Sequence, residues 1–217
     1  WQDGTWTDSG YQDAIRDITL IEKGKFVKEA PKYFSVDSYF KDYLYSNEKK
    51  DESLPINIVK KNSEKVALVI GNSRYTNQNL TTPANDSKLV SDRLRSLNFD
   101  VTHKIDLTKE EFKKTLIDFF SKYENPEIAV FYFAGHGIQI SGQNYLLPVD
   151  LDLERPAENV LFDGIDLNQI MRQFLPGKIR VVFLDACRDN PIESSLAGGL
   201  GKGLASINAP KNTLISF

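Results

Sequence analysis

Two residues whose side chains can act together in catalysis each follow a short apolar stretch of the sequence. His136 comes just after residues 128–134, and Cys187 comes just after residues 179–185. A short, largely apolar run rich in β-branched and aromatic residues is typical of a strand buried on both faces. Because the carboxyl ends of parallel strands share one edge, where ligands bind, we expect His136 and Cys187 to meet there as base and nucleophile.

The chemistry expected of this pair is nucleophilic attack on a carbonyl carbon. A free cysteine has a pKa of about 8.5, so little of it is thiolate at neutral pH unless a neighbouring imidazole takes its proton. Attack by the thiolate then gives an acyl-enzyme. Glycine beside the histidine lets a substrate approach and frees an amide for the developing oxyanion. The N–H groups of Gly137 and Cys187 are the candidate donors.

Each residue also has a structural interpretation. Cys187 is the only cysteine, which excludes an intrachain disulfide and a cysteine-rich metal site. It is either a small buried core residue or a reactive thiol. His136 is either a structural histidine or a base, and the occurrence of both residues at strand ends favours catalysis. We expect His103, inside a predicted strand, to be structural or exposed.

The composition of the chain limits the classes of protein to which it can belong. The chain has 217 residues, 41% of them hydrophobic and 26% charged, with a net charge of −3. These values are ordinary for a soluble globular protein, and they provide no electrostatic reason to expect a nucleic acid or an anionic membrane as partner. No apolar run approaches the roughly 20 residues needed to span a bilayer.

The order of predicted elements indicates an α/β fold. From Lys65 onward, strands alternate with amphipathic helices, which predicts an open, mainly parallel sheet flanked by helices on both faces in a three-layer α/β/α arrangement. Asn85 is the predicted N-cap of the first helix, and Thr108 with Glu111 fits a capping box for the second. The predicted apolar faces of these helices are Leu89, Val90, Leu94 and Leu97 for the first, and Phe112, Leu116, Phe119 and Phe120 for the second.

The later elements are a hairpin, two loops, a short helix and two strands. Residues 138–147 predict a hairpin with a glycine turn, residues 148–163 an acidic loop, and residues 167–174 a short helix. After the Cys187 strand, the glycine- and serine-rich residues 189–212 predict a mobile loop, and residues 213–217 a last strand. We expect residues 1–64 to be an N-terminal extension that packs on the main domain. The alternatives are a pro-segment and the end of an upstream module. The catalytic domain is expected at 65–217, truncated at its C-terminal end.

Several motifs carry a family resemblance across residues 65–217. Together they resemble the caspase-like cysteine peptidases of family C14, and most closely the p20 domain of bacterial metacaspases and orthocaspases. The motifs are Val69-Ile70-Gly71-Asn72 with Tyr75, Asn85-Asp86, Phe133-Ala134-Gly135-His136-Gly137, Tyr145-Leu146-Leu147-Pro148-Val149-Asp150 and Asp185-Ala186-Cys187-Arg188-Asp189-Asn190-Pro191.

The resemblance implies His136 as base and Cys187 as nucleophile, with no strictly required third residue. It also implies a substrate-binding role for Asp86 and Asp185, which match the acidic pocket of enzymes that cleave after Arg or Lys. Carboxylates in a partly desolvated pocket favour a guanidinium or ammonium group. The alternatives are that Asp86 only caps a helix and that Asp185 only orients a loop amide. Ala134 departs from the pattern, because many metacaspases have serine there and one pocket hydroxyl is therefore missing.

Two further expectations come from the same resemblance. No cofactor is required, although some relatives bind calcium through aspartates. Asp150, Asp152, Asp163 and Asp166 could supply oxygen ligands to calcium. Lys202, in the glycine-rich loop, is a candidate self-cleavage point under the basic-residue interpretation.

Three functional hypotheses follow. The first is a cysteine endopeptidase that hydrolyses peptide bonds after Arg or Lys in peptide or protein substrates through a Cys187–His136 dyad. The second is a catalytically silent caspase-like module used for signalling or assembly. The third is a small-ligand α/β binding domain, in which alkylation of Cys187 leaves function untouched.

Overall fold

The computed structural model describes residues 61–123, 125–154, 158–186, 204 and 207–216. Most of the predicted N-terminal extension, Cys187, and most of the predicted glycine-rich loop with Lys202 lie outside these residues. Residues 61–64 are described, and Lys61 forms an isolated parallel bridge to Tyr123. None of the described helices is long and apolar enough to cross a membrane.

A five-stranded sheet forms the centre of the described domain, in the order β2-β1-β3-β7-β8, and each of its described strand pairs is parallel. These strands are β1 (Lys65–Gly71), β2 (Asp100–Ile105), β3 (Ile128–Gly135), β7 (Ile179–Ala186) and β8 (Thr213–Ser216). All eight residues of β3 are buried. Burial on both faces is why the central strands are almost continuously apolar, and it confirms the predicted parallel sheet.

Helices cover both faces of this sheet, as predicted. Successive side chains of a strand point to opposite faces. On β1, Val66, Leu68 and Ile70 belong to the core packed under helix α2 (Lys109–Lys122). Ala67 and Val69 belong to the core packed under helix α1 (Pro83–Ser96).

A second, three-stranded antiparallel sheet continues from the end of β3. It consists of β4 (Gly137–Ile140), β5 (Gln143–Leu146) and β6 (Ile165–Asp166). The turn between β4 and β5 has Ser141 at φ 50° and Gly142 at φ 79°, which suits a tight hairpin and confirms the predicted glycine turn. Helix α3 (Glu158–Asp163) precedes β6, and helix α4 (Leu167–Gln169) runs into a π-helical turn at Ile170–Phe174.

Three local predictions were wrong in part. Helix α1 begins at Pro83 with Thr82 as N-cap, so Asn85 is inside the helix. Its buried face includes Ser87 and Ser91, each 0% exposed, whereas Leu89 is 59% exposed. The small serines let the helix approach the sheet closely. A Cβ on Gly71 would stand 2.3 Å from Ser87 Oγ. The predicted acidic loop contains helix α3 over its last six residues.

The second helix agrees with its prediction. Thr108 Oγ1 accepts a hydrogen bond from the Glu111 N–H, and the Glu111 carboxylate accepts one from the Thr108 N–H, so the capping box is formed. Phe112, Leu116 and Phe119 are buried against the sheet, and Phe120 packs partly buried beside them.

Candidate active site

The carboxyl ends of β3 and β7 lie side by side at one edge of the large sheet. The two strands are paired in parallel register, with Ala134 opposite Asp185 and Gly135 opposite Ala186. His136 follows Gly135 directly. Cys187 is the next residue in the sequence after Ala186 and lies outside the described residues. Parallel pairing therefore brings the chain to the same edge at His136 and at the residue before Cys187.

The His136 ring is buried, with its two nitrogens in different surroundings. The residue is 6% exposed. Its Nε2 lies 2.8 Å from the backbone oxygen of Gln78. Because a carbonyl can only accept a hydrogen bond, Nε2 carries the proton in the neutral ring, which leaves the lone pair on Nδ1. Nδ1 is buried and has no hydrogen-bond partner among the described residues.

Burial also affects how readily this ring takes up a proton. Desolvation lowers the pKa of His136, and the hydrogen bond to the Gln78 carbonyl opposes that change. A lowered pKa keeps the imidazole neutral at neutral pH. The ring is therefore in the state that can accept a proton at Nδ1.

The backbone of His136 is held by Tyr75 and Leu147. The His136 N–H donates to the Tyr75 hydroxyl at 2.8 Å, and that hydroxyl donates to the Leu147 carbonyl at 3.2 Å. The His136 carbonyl accepts from the Leu147 N–H at 3.0 Å. An ordinary antiparallel pair would have a second, direct hydrogen bond from the His136 N–H to the Leu147 carbonyl. Here the Tyr75 hydroxyl bridges these two groups in place of that bond.

One loop, residues 72–78, supplies most of the groups that position His136. Tyr75 also packs its ring against the imidazole, with centroids 4.5 Å apart. Asn72 is 0% exposed. Its side-chain amide donates to the Leu147 carbonyl at 3.1 Å and accepts from the Leu107 N–H at 3.0 Å. Gln78 adopts a positive φ of 61°, a backbone conformation uncommon for residues other than glycine.

The two glycines beside His136 differ in their structural roles. Gly135 has φ 154°, and a Cβ there would lie 2.5 Å from the Tyr75 hydroxyl and 2.8 Å from Phe133 Cζ. Gly137 lies opposite Leu146, next to the hydrogen-bonded pair of His136 and Leu147. Since hydrogen-bonded and non-hydrogen-bonded pairs alternate in antiparallel strands, the Gly137 N–H points away from β5. It is therefore available to a group outside the small sheet.

Asp185 is buried on the α1 face of the large sheet. It is 8% exposed and shares a face with Phe183, two residues earlier in β7, which belongs to the core under α1. The Tyr132 hydroxyl donates to Asp185 Oδ2 at 3.0 Å. A charge-assisted bond of this kind fixes the orientation of the carboxylate.

Asp86 lies in the first turn of α1, the helix that packs on the same face. Burial raises the pKa of Asp86, and a hydrogen bond from the Thr82 side chain opposes that rise. Its Oδ2 is buried and has no hydrogen-bond partner among the described residues. Asp86 and Asp185 are thus brought to one face of the sheet. Asp86 is not the N-cap of α1.

The four aspartates considered as calcium ligands each contact a protein group. Asp150 accepts from the Lys109 N–H at 2.8 Å, Asp152 from the Asn77 side chain at 3.1 Å and Asp166 from the Asn168 N–H at 2.8 Å. Asp163 forms an ion pair with the Lys109 ammonium at 2.6 Å. Within the described ranges, no three or more His, Cys, Asp or Glu residues group closely enough to hold a metal ion.

His103 lies away from this edge, in β2. It is half-buried, and its Nε2 lies 3.1 Å from the Ser87 hydroxyl. Because that hydroxyl donates to the Ala84 carbonyl at 3.0 Å, it can accept from the imidazole N–H, which makes this a structural contact. Desolvation lowers the pKa of His103.

Two curated mammalian proteins are similar to part of the chain. Both the human mucosa-associated lymphoid tissue lymphoma translocation protein 1 and its mouse homolog are 32% identical over 126 residues, which is 58% of this chain. The matched part spans 15% of the length of each relative.

Solved structures are similar at low sequence identity. The Drosophila initiator caspase Dronc is 14% identical with a TM-score of 0.46, covering 88% of this chain and 67% of that one. Protein GSU0716 from Geobacter sulfurreducens is 14% identical with a TM-score of 0.44, covering 57% of this chain and 50% of that one. The family model of the Caspase domain, peptidase family C14, matches residues 64–215. Because that match covers most of the sequence, the chain belongs to the caspase-domain family.

Proposed function

We propose that this chain is a cysteine endopeptidase that cleaves peptide bonds after Arg or Lys, with His136 as base and Cys187 as nucleophile. The observation that carries the proposal is the state of His136. Its Nε2–H is tied to the Gln78 carbonyl, and its buried Nδ1 has no partner among the described residues. The strand beside it ends one residue before the only cysteine in the chain.

In the proposed reaction, Nδ1 of His136 takes the proton of the Cys187 thiol, and the thiolate attacks the scissile carbonyl carbon. The carbonyl oxygen becomes an oxyanion, for which the Gly137 N–H is the proposed donor. Collapse of this intermediate breaks the C–N bond, and the imidazolium returns its proton to the leaving amine. His136 then deprotonates a water molecule that hydrolyses the thioester and regenerates the thiol.

The proposed preference for basic residues rests on Asp86 and Asp185. The Oδ2 atom of Asp86, buried and without a partner in the described part of the chain, gains one when a guanidinium or ammonium group enters. Asp185 lies on the same face and is oriented by Tyr132. Two carboxylates near one site repel each other, and a cationic side chain relieves that repulsion. The resemblance to bacterial metacaspases points the same way, while the two curated relatives are mammalian.

The experiment uses fluorogenic peptides ending in Arg, Lys or Asp before the reporter, with added calcium or with a chelator. We expect turnover of the Arg and Lys peptides, and a loss of at least about 10²-fold in His136→Ala. His103→Ala is the matched control, because His103 is the other histidine of the chain and lies away from the edge. Its turnover should remain near that of the unmodified chain.

Three outcomes would contradict parts of the proposal. Equal turnover by Cys187→Ala, or no turnover of any peptide, favours the catalytically silent module. Preference for the Asp peptide would support the peptidase activity but contradict the assignment of Asp86 and Asp185 to a pocket for basic residues. The calcium site at Asp150, Asp152, Asp163 and Asp166 remains a prediction. An absolute requirement for calcium would support it, whereas equal rates in chelator would count against a role in catalysis.

A further inference from the structure

A polar groove runs beside the β4–β5 hairpin. It is a cavity of about 700 Å³ between the hairpin, helix α4 with its π-helical turn, and the segment at Ile207 and Asn208. Its walls are rich in side-chain amides, contributed by Gln143, Asn144, Asn168, Gln169 and Gln173. Amides both donate and accept hydrogen bonds, so such a lining suits the N–H and C=O groups of an extended peptide.

The groove begins close to the candidate active site. Asn144 precedes Leu146 by two positions on β5, and Leu146 lies opposite Gly137. At about 3.4 Å per residue, Asn144 is therefore roughly 7 Å along the strand from the pair that contains Gly137. The wall formed by Ile207 and Asn208 also begins near Gly137. A Cβ on Gly137 would lie 3.3 Å from Leu204 Cδ2, and Leu204 is three residues before Ile207.

The groove and the acidic pair lie on opposite faces of the large sheet. Leu167, Ile170 and Met171, from α4 and the π-helical turn, pack in the core under α2. Asp185 and the helix that carries Asp86 belong to the α1 face. A substrate that places its basic side chain on the α1 face and its scissile bond at His136 must direct its remaining residues elsewhere. The groove lies on the α2 side.

Arg172 gives the groove a charge preference. It lines the cavity and is exposed, and it forms no hydrogen bond or ion pair with another described residue. The carboxylate in the same lining, Asp166, caps α4 through the Asn168 N–H. A guanidinium in this setting selects a carboxylate, which it can bind in a bidentate manner.

We propose that this groove binds the leaving-group side of the substrate, and that Arg172 selects an acidic side chain about two to four residues beyond the scissile bond. This inference rests on the proposed peptidase function. It makes Arg172 a specificity-determining residue that is separate from the residues that carry out the reaction.

The test compares two kinds of substrate that share one half ending in Arg. In the first, the leaving group is a coumarin, which does not extend into the groove. In the second, a quenched peptide continues for four residues that contain either Glu or Lys. We expect the unmodified chain to prefer the Glu peptide. Arg172→Ala should lower kcat/KM for that peptide about tenfold and leave coumarin release unchanged, and Arg172→Glu should reverse the preference.

Arg93→Ala is the control, because Arg93 is an exposed arginine on α1. It should behave as the unmodified chain does with every substrate. Equal rates for the Glu and Lys peptides, or an equal loss on both kinds of substrate in Arg172→Ala, would overturn the inference.

A binding measurement separates this inference from the peptidase proposal. The four-residue acidic half, labelled with a fluorophore, is titrated into the Cys187→Ala chain, where no turnover is needed. Binding that is weakened by Arg172→Ala supports the groove even if no substrate is cleaved. Binding that Arg172→Ala does not change, or no binding at all, contradicts the groove even if coumarin release is fast.

Discussion

The hydroxyl of Tyr75 joins two backbone groups, the N–H of His136 and the carbonyl of Leu147, and the carbonyl also accepts from the Asn72 side chain. Tyr75 is itself only 3% exposed, so water could not readily take the place of its hydroxyl. At the scale of single residues, this bridge and the Gln78 carbonyl determine where the imidazole lies. Neither group touches the substrate in the proposed reaction, so both act by positioning.

Tyr75→Phe removes the bridge and keeps the ring contact with His136. We expect kcat to fall about tenfold with KM nearly unchanged, and the free energy of unfolding to fall by about 1–2 kcal/mol. The control is Tyr123→Phe, since Tyr123 is 2% exposed and belongs to the end of α2. That variant is allowed to lose stability but should keep its kcat. A parallel loss of kcat in both variants would mean that Tyr75 acts only on stability.

The lowered pKa of His136 predicts a direction for its titration. Burial disfavours the imidazolium, so the folded ring should titrate below the ordinary histidine value of 6.5. Because the unfolded chain binds the proton more readily, stability should fall as pH decreases from about 6.5 towards the folded pKa. The measurement is an NMR titration of the ring in Cys187→Ala, which removes coupling to the thiol. A ring that titrates above 6.5 would refute the assignment.

We expect Asp86 to lower the stability of the folded chain while contributing to the binding of Arg and Lys substrates. Burial raises its pKa, which means that the folded environment disfavours the charged form present at neutral pH. Asp86→Asn should therefore leave thermal stability at neutral pH unchanged or higher, while raising KM for Arg and Lys peptides. Melting curves and steady-state kinetics on the same preparations check both parts. Asp92→Asn is the control, because Asp92 is an exposed carboxylate of the same helix. A KM unaffected by Asp86→Asn would remove Asp86 from the pocket.

At the scale of elements, the junction of β3 and β4 depends on close packing against the loop at residues 72–78. Gly135→Ala places a Cβ 2.5 Å from the Tyr75 hydroxyl at a positive φ, so it should lower the free energy of unfolding by about 2–4 kcal/mol. Gly142→Ala is the matched control, because its φ is also positive but nothing lies within 4 Å of the added atom. It should lose only about 1 kcal/mol. Denaturant unfolding of both variants measures the difference, and equal losses would contradict the packing argument.

The elements differ in how well their sequences predict them. The strands β1, β3 and β7 are buried on both faces, so their apolar runs are unambiguous, and the capping box at Thr108 depends on local spacing. Helix α1 was harder to predict because its buried face includes two polar residues, Ser87 and Ser91. Ser87 lies close to Gly71 of the sheet. The Gln78 carbonyl could not be predicted at all, since any residue type supplies the same backbone oxygen.

At the scale of the whole molecule, the edge of the sheet and its two faces each carry a different part of the proposed site. The edge between β3 and β7 carries His136 and leads to Cys187. The α1 face carries the acidic pair, and the α2 face leads to the amide-lined groove. In the proposed enzyme, an extended substrate crosses the edge from one face to the other, and only its scissile bond lies beside the imidazole. The arrangement follows from parallel pairing, which brings the carboxyl ends of neighbouring strands together.

The most direct test of the proposed dyad is covalent labelling of the full chain by a peptidyl chloromethyl ketone that ends in Arg. We expect rapid modification of Cys187, located by mass spectrometry, and labelling at least about 10²-fold slower in His136→Ala but unchanged in His103→Ala. Labelling of Cys187 at the rate of an ordinary exposed thiol, equally fast with and without His136, would contradict the dyad.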